Sequence, residues 1–482
     1  MSTELIVILD DRTPPSASVR AALGEVRFSD ILRRRRTMRA ELTDLAQDAG
    51  AEAVVHLSDD EQRDALVARI RDAGEGVLYL RLPLCLPPTQ AEPLRVLIQK
   101  ARYALGTMLA SQLRDDEAAA VLTGPDAIAV LTAPTPEARR AILLGMRDAQ
   151  ASITDHAQFI DIRQSRGLMY YLSGATELRQ FNAAHLDGTV FHKQSADVAK
   201  MRAEHGYFHV APPELKRFLL PTFGFWEKGD QAGYQMEHLA IPDAALQWVH
   251  HAFTPADFDA LLAQMFDFLG TRPAAQPAPD MARAQILDKL TTRMERFLTL
   301  PQGQSLNALL AASGPQGDLP QMMARAVPLI GRALQRTQHL PQVFSHGDPC
   351  FSNVLYDRRI GLMRLIDPRG AVAFDDALMH PLYDLAKISH SVLGGYDFVN
   401  NGLHRACLDR DLKLRLDWTT QGPPDWAGSA FRAHVDKVGY DIKDVRAIEL
   451  SLFLSMLPLH SDHPDKLLGF ALIAGRILED LE

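Results

Sequence analysis

The stretch Phe344-Ser-His-Gly-Asp-Pro-Cys-Phe-Ser-Asn-Val-Leu-Tyr356, followed by Leu365-Ile-Asp-Pro-Arg-Gly-Ala371, decides how the rest of the chain is read. It sets Asp348 five residues before Asn353, and Asp367 fourteen beyond Asn353, after the apolar, strand-like run Gly361–Ile366. Asn353 and Asp367 offer hard oxygens of the kind magnesium takes when phosphate and water complete its shell. Asp348 offers a carboxylate that can accept a proton from a hydroxyl. Phosphoryl transfer asks for little more: an in-line hydroxyl, a proton acceptor, and cations that neutralise charge spreading over the phosphoryl oxygens.

Four elements fall in order here: His346-Gly347-Asp348 with Asn353, then Ile366-Asp367, then Asp384-Leu385-Ala386. Together they resemble the aminoglycoside phosphotransferase and choline kinase-like family. The pattern extends over roughly residues 156–480, with the strongest likeness in 344–390. The resemblance implies a bilobal protein-kinase-like fold and an ATP- and Mg2+-dependent kinase acting on a hydroxyl, with GTP as the alternative donor. It implies Asp348 as base, His346 as a second catalytic residue on the same loop, and Asn353 and Asp367 as magnesium ligands. Asp384 takes a structural role, hydrogen-bonding the backbone of that loop. Two departures stand out. Asp384 is seventeen residues beyond Asp367, with Ala373-Phe-Asp-Asp-Ala-Leu378 between, which leaves roles for Asp375 and Asp376 open. Asp-Pro-Arg also replaces Asp-Phe-Gly, so switching by a flipping Phe is not implied.

Such a kinase needs a cation on the α- and β-phosphates. Lys193, in the strand-like Val190-Phe-His-Lys-Gln-Ser195, stands directly before a helical stretch, Ala196–Val210, that carries Glu204 as its partner; Lys200 and Glu214 are the rival pair. The strand containing Met236, Glu237 and His238 falls where the lobes join, so its backbone is expected to read the adenine edge. Ser173-Gly174 is the candidate phosphate loop, a plain turn being the competing reading.

Acceptor-side candidates are His390, Ser391 and Tyr396, suited to a polyol, and Glu449, His460 and Asp462, suited to an amine or further hydroxyls. Helical apolar spacing from Glu449 to Leu459 makes core packing the competing reading there. A sugar, an amino sugar and an amino alcohol all fit as the small-molecule acceptor. The sequence leaves self-association open. The Pro- and Ala-rich Thr271–Asp280 reads as a surface connection between helices.

Working outward to the N-terminus, residues 1–152 alternate strand and helix patterns. Glu4–Leu9, Ala53–Leu57 and Gly76–Leu80 read as strands, and Ser29–Gln47, Asp59–Asp72 and Gln90–Leu113 as helices. Alternation of this kind predicts an α/β domain with a mostly parallel sheet. The segment after its first strand, Asp-Asp-Arg-Thr-Pro-Pro at 10–15, lacks glycine and makes a poor phosphate cradle. A structural or regulatory role is therefore preferred. By analogy with kinases fused to an α/β domain in polysaccharide and nucleotide-sugar pathways, a degenerate nucleotidyltransferase is the alternative. The expected domains are 1–152, a kinase N-lobe at 153–245 with strands Phe159–Ile162, Leu168–Leu172, Thr189–His192 and Gln231–His238, and a helical C-lobe at 246–482.

Composition sets the outer bounds. At 482 residues more than one core is expected, and 47% apolar with 23% charged residues is ordinary for a folded domain protein. A net charge of −9 argues against a nucleic-acid binder, and the one basic run, Arg33–Arg36, reads as a solvated helix face. Cys85, Cys350 and Cys407 show no disulfide or zinc spacing. No apolar stretch is long enough to span a membrane, and the first ten residues read as a strand and not a signal peptide, so a cytoplasmic protein is expected.

Overall fold

The computed structural model describes residues 4–73, 76–147, 158–173, 182–187, 189–461 and 463–482. The chain divides into two compact units, Met1–Glu177 and Leu178–Glu482. That boundary lies beyond the 152/153 expected from sequence.

In the first unit, strands β1 (Glu4–Asp10), β2 (Ala53–Leu57), β3 (Val77–Pro83), β4 (Met108–Leu109) and β5 (Ala120–Leu122) form one sheet in the order β2-β1-β3-β5-β4. The β1 strand pairs in parallel with β2 and β3, whereas β5 runs antiparallel to both β3 and β4. The sheet is thus mixed, because a short hairpin supplies its last two strands where the alternating pattern led us to expect further crossovers. Ile8, Leu57, Tyr79 and Leu122 build its core with Leu66, Val67 and Ile70 of helix Asp60–Asp72, whose first turn is capped by Asp59. The Ser29–Gln47 helix shrinks to Met38–Asp48, and Gln90–Leu113 to Ala91–Ala101.

The run Arg33–Arg36 is not a helix face. Leu32–Arg33 and Arg36–Thr37 pair as a hairpin whose turn residues, Arg34 and Arg35, both have positive φ. Leu168–Leu172 lies in a helix, Ser165–Ser173, not in a strand. A five-residue apolar run fits either element, and here Leu168 and Tyr171 are buried together on one helical face. Phe159–Ile162 is extended, donating from Ile160 to Pro87 and from Ile162 to Cys85, and so belongs to the first unit.

The second unit opens on a four-stranded antiparallel sheet: β6 (Asn182–Asp187), β7 (Val190–Ser195), β8 (Thr222–Lys228) and β9 (Gln231–Glu237), in the order β8-β9-β7-β6. Between β7 and β8 comes helix α1 (Val198–Val210), capped by the Asp197 side chain on the Lys200 N–H. From Ala244 onward the unit is mainly helical. Here lie α2 (Lys289–Thr299), α3 (Leu382–Val392) and α4 (Ile442–Met456). Every residue of α4 from Asp444 to Met456 is buried, which makes it the central helix of this part. Two hairpin-like pairings carry the loop quoted at the outset: Val343–Phe344 with Leu378–Met379, and Val354–Asp357 with Leu362–Leu365. Thr271–Asp280 is no free surface connection: Ala274 bridges Val343, and Ala275 N–H donates to Gln342. Among the described residues no helix is long and apolar enough to cross a membrane.

Candidate active site

The loop from Ser345 to Asn353 is held from behind. Asp384, in the first turn of α3 and wholly buried, accepts the backbone N–H groups of His346 at 3.0 Å and Gly347 at 2.8 Å. Its charge is met by Arg272, whose Nη1 lies 2.9 Å away. Gly347 has φ +81°, and a Cβ there would stand 2.6 Å from the Arg369 Cβ, so both conformation and space demand glycine. His346 is fully buried, and its Nδ1 accepts the Asp348 N–H at 3.3 Å. Burial lowers its pKa, so it stays neutral behind the loop. The catalytic assignment of His346 is corrected to a positioning one: its ring is wholly buried and orients the Asp348 backbone. Asn353 Nδ2 donates to the Asp348 carbonyl at 2.9 Å, turning the amide oxygen away from that bond.

Asp367 follows at the end of Leu362–Leu365. Ile366 N–H donates to the Asn353 carbonyl at 3.0 Å, which ties the two segments together. Asp367 itself has φ +54°, a left-handed conformation that costs a non-glycine residue about 1–2 kcal/mol and that Asp tolerates better than most. The next turn packs backbone to backbone on α1: Ala371 N–H donates to Ala203 at 2.9 Å, and a Cβ on Gly370 would meet Ala203 C at 2.7 Å. Asp376 caps its own short turn, accepting from the Val372 and Ala373 N–H groups.

This packing brings Asp367 to Lys193. Lys193 Nζ lies 2.8 Å from Glu204 Oε2 and 2.9 Å from Asp367 Oδ1, while Tyr234 donates its hydroxyl to the same Glu204 oxygen at 3.0 Å. Burial alone would lower the Lys193 pKa, but Asp367 and Glu204 outweigh it and hold the ammonium well charged. Lys200 touches Glu204 from the far side at 3.5 Å. On the other carboxylate, Lys387 of α3 places Nζ 2.9 Å from Asp348 Oδ1. Asp348 and Asp367 keep 36% and 40% of their side chains exposed, so both face open space from otherwise buried surroundings.

The remaining sequence candidates fare differently. Met236 is a core residue, packed with Met201, Ala232 and Tyr234. The His238 N–H already donates to the Thr189 carbonyl at 2.8 Å and has no hydrogen left for a base. Glu237 lines a cavity of about 330 Å3 with Phe208, Lys216 and Arg364. Ser173 ends a helix of the first unit; Gly174 and Asp462 lie outside the described residues. On the acceptor side, Glu449 is fully buried, accepting from Ser389 and, at 2.7 Å, from Arg446. Ser391 Oγ accepts the Phe351 N–H at 3.0 Å and so braces the loop. His390 stacks on Tyr396 with ring centroids 4.2 Å apart, and His460 packs edge-on against Phe470. Tyr396 is only half-buried in that stack and stays a candidate, whereas His390, Glu449 and His460 are core groups and are corrected as substrate ligands. Their polar side chains are buried because α4 and its neighbours are covered on every side, which helical spacing does not reveal.

Sequence reading missed Arg272, Lys289 and Lys387. Each comes from a helical or connecting segment without a motif; Lys387 alone carried a signal, standing one turn after Asp384.

No family model matches this chain, and neither does any curated protein. Among solved structures it is similar to an aminoglycoside phosphotransferase, APH(3'')-Id from Streptomyces rimosus, in complex with ADP and streptomycin, at 16% identity and a TM-score of 0.36, covering 57% of this chain and 87% of that one. A thermostable mutant of the aminoglycoside phosphotransferase APH(4)-Ia, in a ternary complex with ADP and hygromycin B, is similar at 10% identity and a TM-score of 0.39, covering 62% and 90%. Likenesses this distant leave the chemistry to be argued from the site itself.

Proposed function

We propose that the second unit is a small-molecule kinase of bilobal, protein-kinase-like design that moves the γ-phosphoryl group of ATP to a hydroxyl. The observation that carries this reading is the Lys193 clasp: a buried lysine, steadied by Glu204, reaches Asp367, whose segment is tied by the Ile366 N–H to Asn353 of the loop that bears Asp348. Lys193 then neutralises donor phosphates, since an ammonium held between two acids is both charged and aimed. Asn353 and Asp367 fit magnesium, because their oxygens are hard donors and that ion needs only a few from protein. When bound, it would neutralise charge on the phosphates. Asp348 accepts the acceptor's hydroxyl proton as the new O–P bond forms and the bond from the γ-phosphorus to ADP breaks. Asp384 and Arg272 keep that carboxylate in place without touching substrate. The acceptor is a small molecule from the sugar, amino sugar or amino alcohol classes. The adenine contacts of ATP fall to the backbone beyond His238.

The test is Asp348→Asn, assayed by the mass gain of a phosphoryl group across a metabolite panel with ATP and magnesium. Turnover should fall by about 10²–10⁴-fold while ADP–magnesium affinity stays within about twofold. Unchanged turnover would remove Asp348 from the reaction, and nucleotide binding with no transfer by wild type would make this unit a scaffold.

A further inference from the structure

The surroundings of Asp348 are rich in cations. Lys387 lies at its carboxylate. Lys289, the first residue of α2, and Arg369, from the turn after Asp367, both face the Tyr383 ring, their charge centres 5.8 and 5.9 Å from its centroid. Arg293, one turn further along α2, acts on the same space and donates to the Ser455 carbonyl at 3.3 Å. The chain departs from α-helical form immediately before Lys289: Ala284–Asp288 is a π-helical turn, an irregularity that recurs at functional sites. Burial, then the charges of Arg369, Arg293 and Lys387, press the Lys289 ammonium down to about 7 against the opposing pull of Asp348. A fold that gathers like charges beside one half-exposed carboxylate stores repulsion, and an anion at that place relieves it.

We infer that the acceptor is an oxyanion-bearing hydroxyl compound, its phosphate or carboxylate held by Lys289 and Arg369 so that its hydroxyl faces Asp348. The inference rests on the kinase reading for the words acceptor and hydroxyl; the anion site stands on its own geometry. It narrows the acceptor classes above, since an amino sugar or amino alcohol cation would meet Lys289, Arg293, Arg369 and Lys387 at close range.

The experiment uses the full chain and inorganic sulfate, with ionic strength held constant by chloride. Sulfate is titrated by calorimetry into protein saturated with AMP-PNP and magnesium, and separately into nucleotide-free protein. Saturable sulfate binding is expected in both cases, about tenfold weaker in Lys289→Met and in Arg369→Gln, and largely retained in Lys289→Arg, which keeps the charge. Absence of saturable binding, or binding equal in wild type and both variants, overturns the anion site. Sulfate that binds only without nucleotide and is displaced by AMP-PNP assigns these cations to the donor phosphates and overturns it too. The kinase reading is scored apart from this, by AMP-PNP–magnesium binding and Asp348→Asn turnover. If nucleotide fails to bind, the nucleotide-free titration still decides the anion site.

Discussion

Each compact unit holds a buried cation clasped between two acids, Arg81 in the first and Lys193 in the second, and these two clasps differ in what water can reach. In the first unit Arg81 lies 2.8 Å from Asp10 and 2.7 Å from Glu117, all three side chains no more than 2% exposed. Further partners complete it: Arg12 on Asp10 at 2.9 Å, Thr13 and Arg139 on Glu117 at 2.9 and 3.1 Å. Burial alone would raise the Asp10 pKa, but Arg81 and Arg12 hold its carboxyl well below the usual range. In the second unit Lys193 makes the same two contacts, with Glu204 buried and Asp367 open on one side. A closed clasp neutralises its charges within the protein, out of reach of water. An open one leaves a carboxylate that solvent, metal or phosphate can share. Charge type and spacing are nearly the same in both, so exposure of the second acid separates scaffold from site.

Breaking the closed clasp should have the largest effect. Arg81→Met takes the central cation from two buried carboxylates, leaving Asp10 to Arg12 and Glu117 to Arg139 and Thr13, and should cost the first unit about 3–5 kcal/mol, read as accelerated hydrogen exchange at the β1 and β3 amides. ADP–magnesium affinity should stay unchanged. Exchange rates equal to wild type would show that the clasp is not what holds these strands. Opening the other clasp should cost less. Lys193→Met should lose about 1.5–3 kcal/mol of ADP–magnesium affinity, with little change in exchange at β1 and β3. Asp367 can rehydrate when its lysine is gone, whereas Asp10 cannot; stability losses equal in the two variants would erase the distinction. The smallest effect sharpens the chemistry at the open end. Lys289, near pKa 7, must be protonated to hold an anion, and Arg293, Arg369, Lys387, Tyr383 and Asp348 surround it. An anion raises that pKa, so binding takes up a proton above pH 7. Sulfate affinity should fall by about tenfold in all as pH rises from 7 to 9, the loss expected of Lys289→Met, and flatten below 7. A slope of zero over that range in the wild type would take Lys289 out of the anion site.

What was legible in the sequence was local. Asp348, Asn353 and Asp367 could be found because their spacing is set by a loop and a hairpin that close on themselves, as the Asn353 contact to Asp348 and the Ile366 contact to Asn353 show. Lys193 and Glu204 could be found because a strand followed at once by a helix brings their side chains together with few alternatives. The Arg33–Arg36 run was misjudged because charge density suggests solvent while saying nothing of φ, and the turn there needs two left-handed residues. Leu168–Leu172 was misjudged because five apolar residues carry too little periodicity to separate strand from helix, and the domain boundary moved with it.

By itself, then, the sequence determined the order of the elements and the identity of the loop acids, since those depend on short-range geometry and residue chemistry. Only the tertiary structure decided which polar groups face open space. Glu449, His390 and His460 looked like ligands until α4 proved covered along its length. Lys289, Arg369 and Lys387 had no role from the sequence until folding placed them around Asp348. Coulomb energy and desolvation depend on distance and burial in space, and neither is a function of separation along the chain.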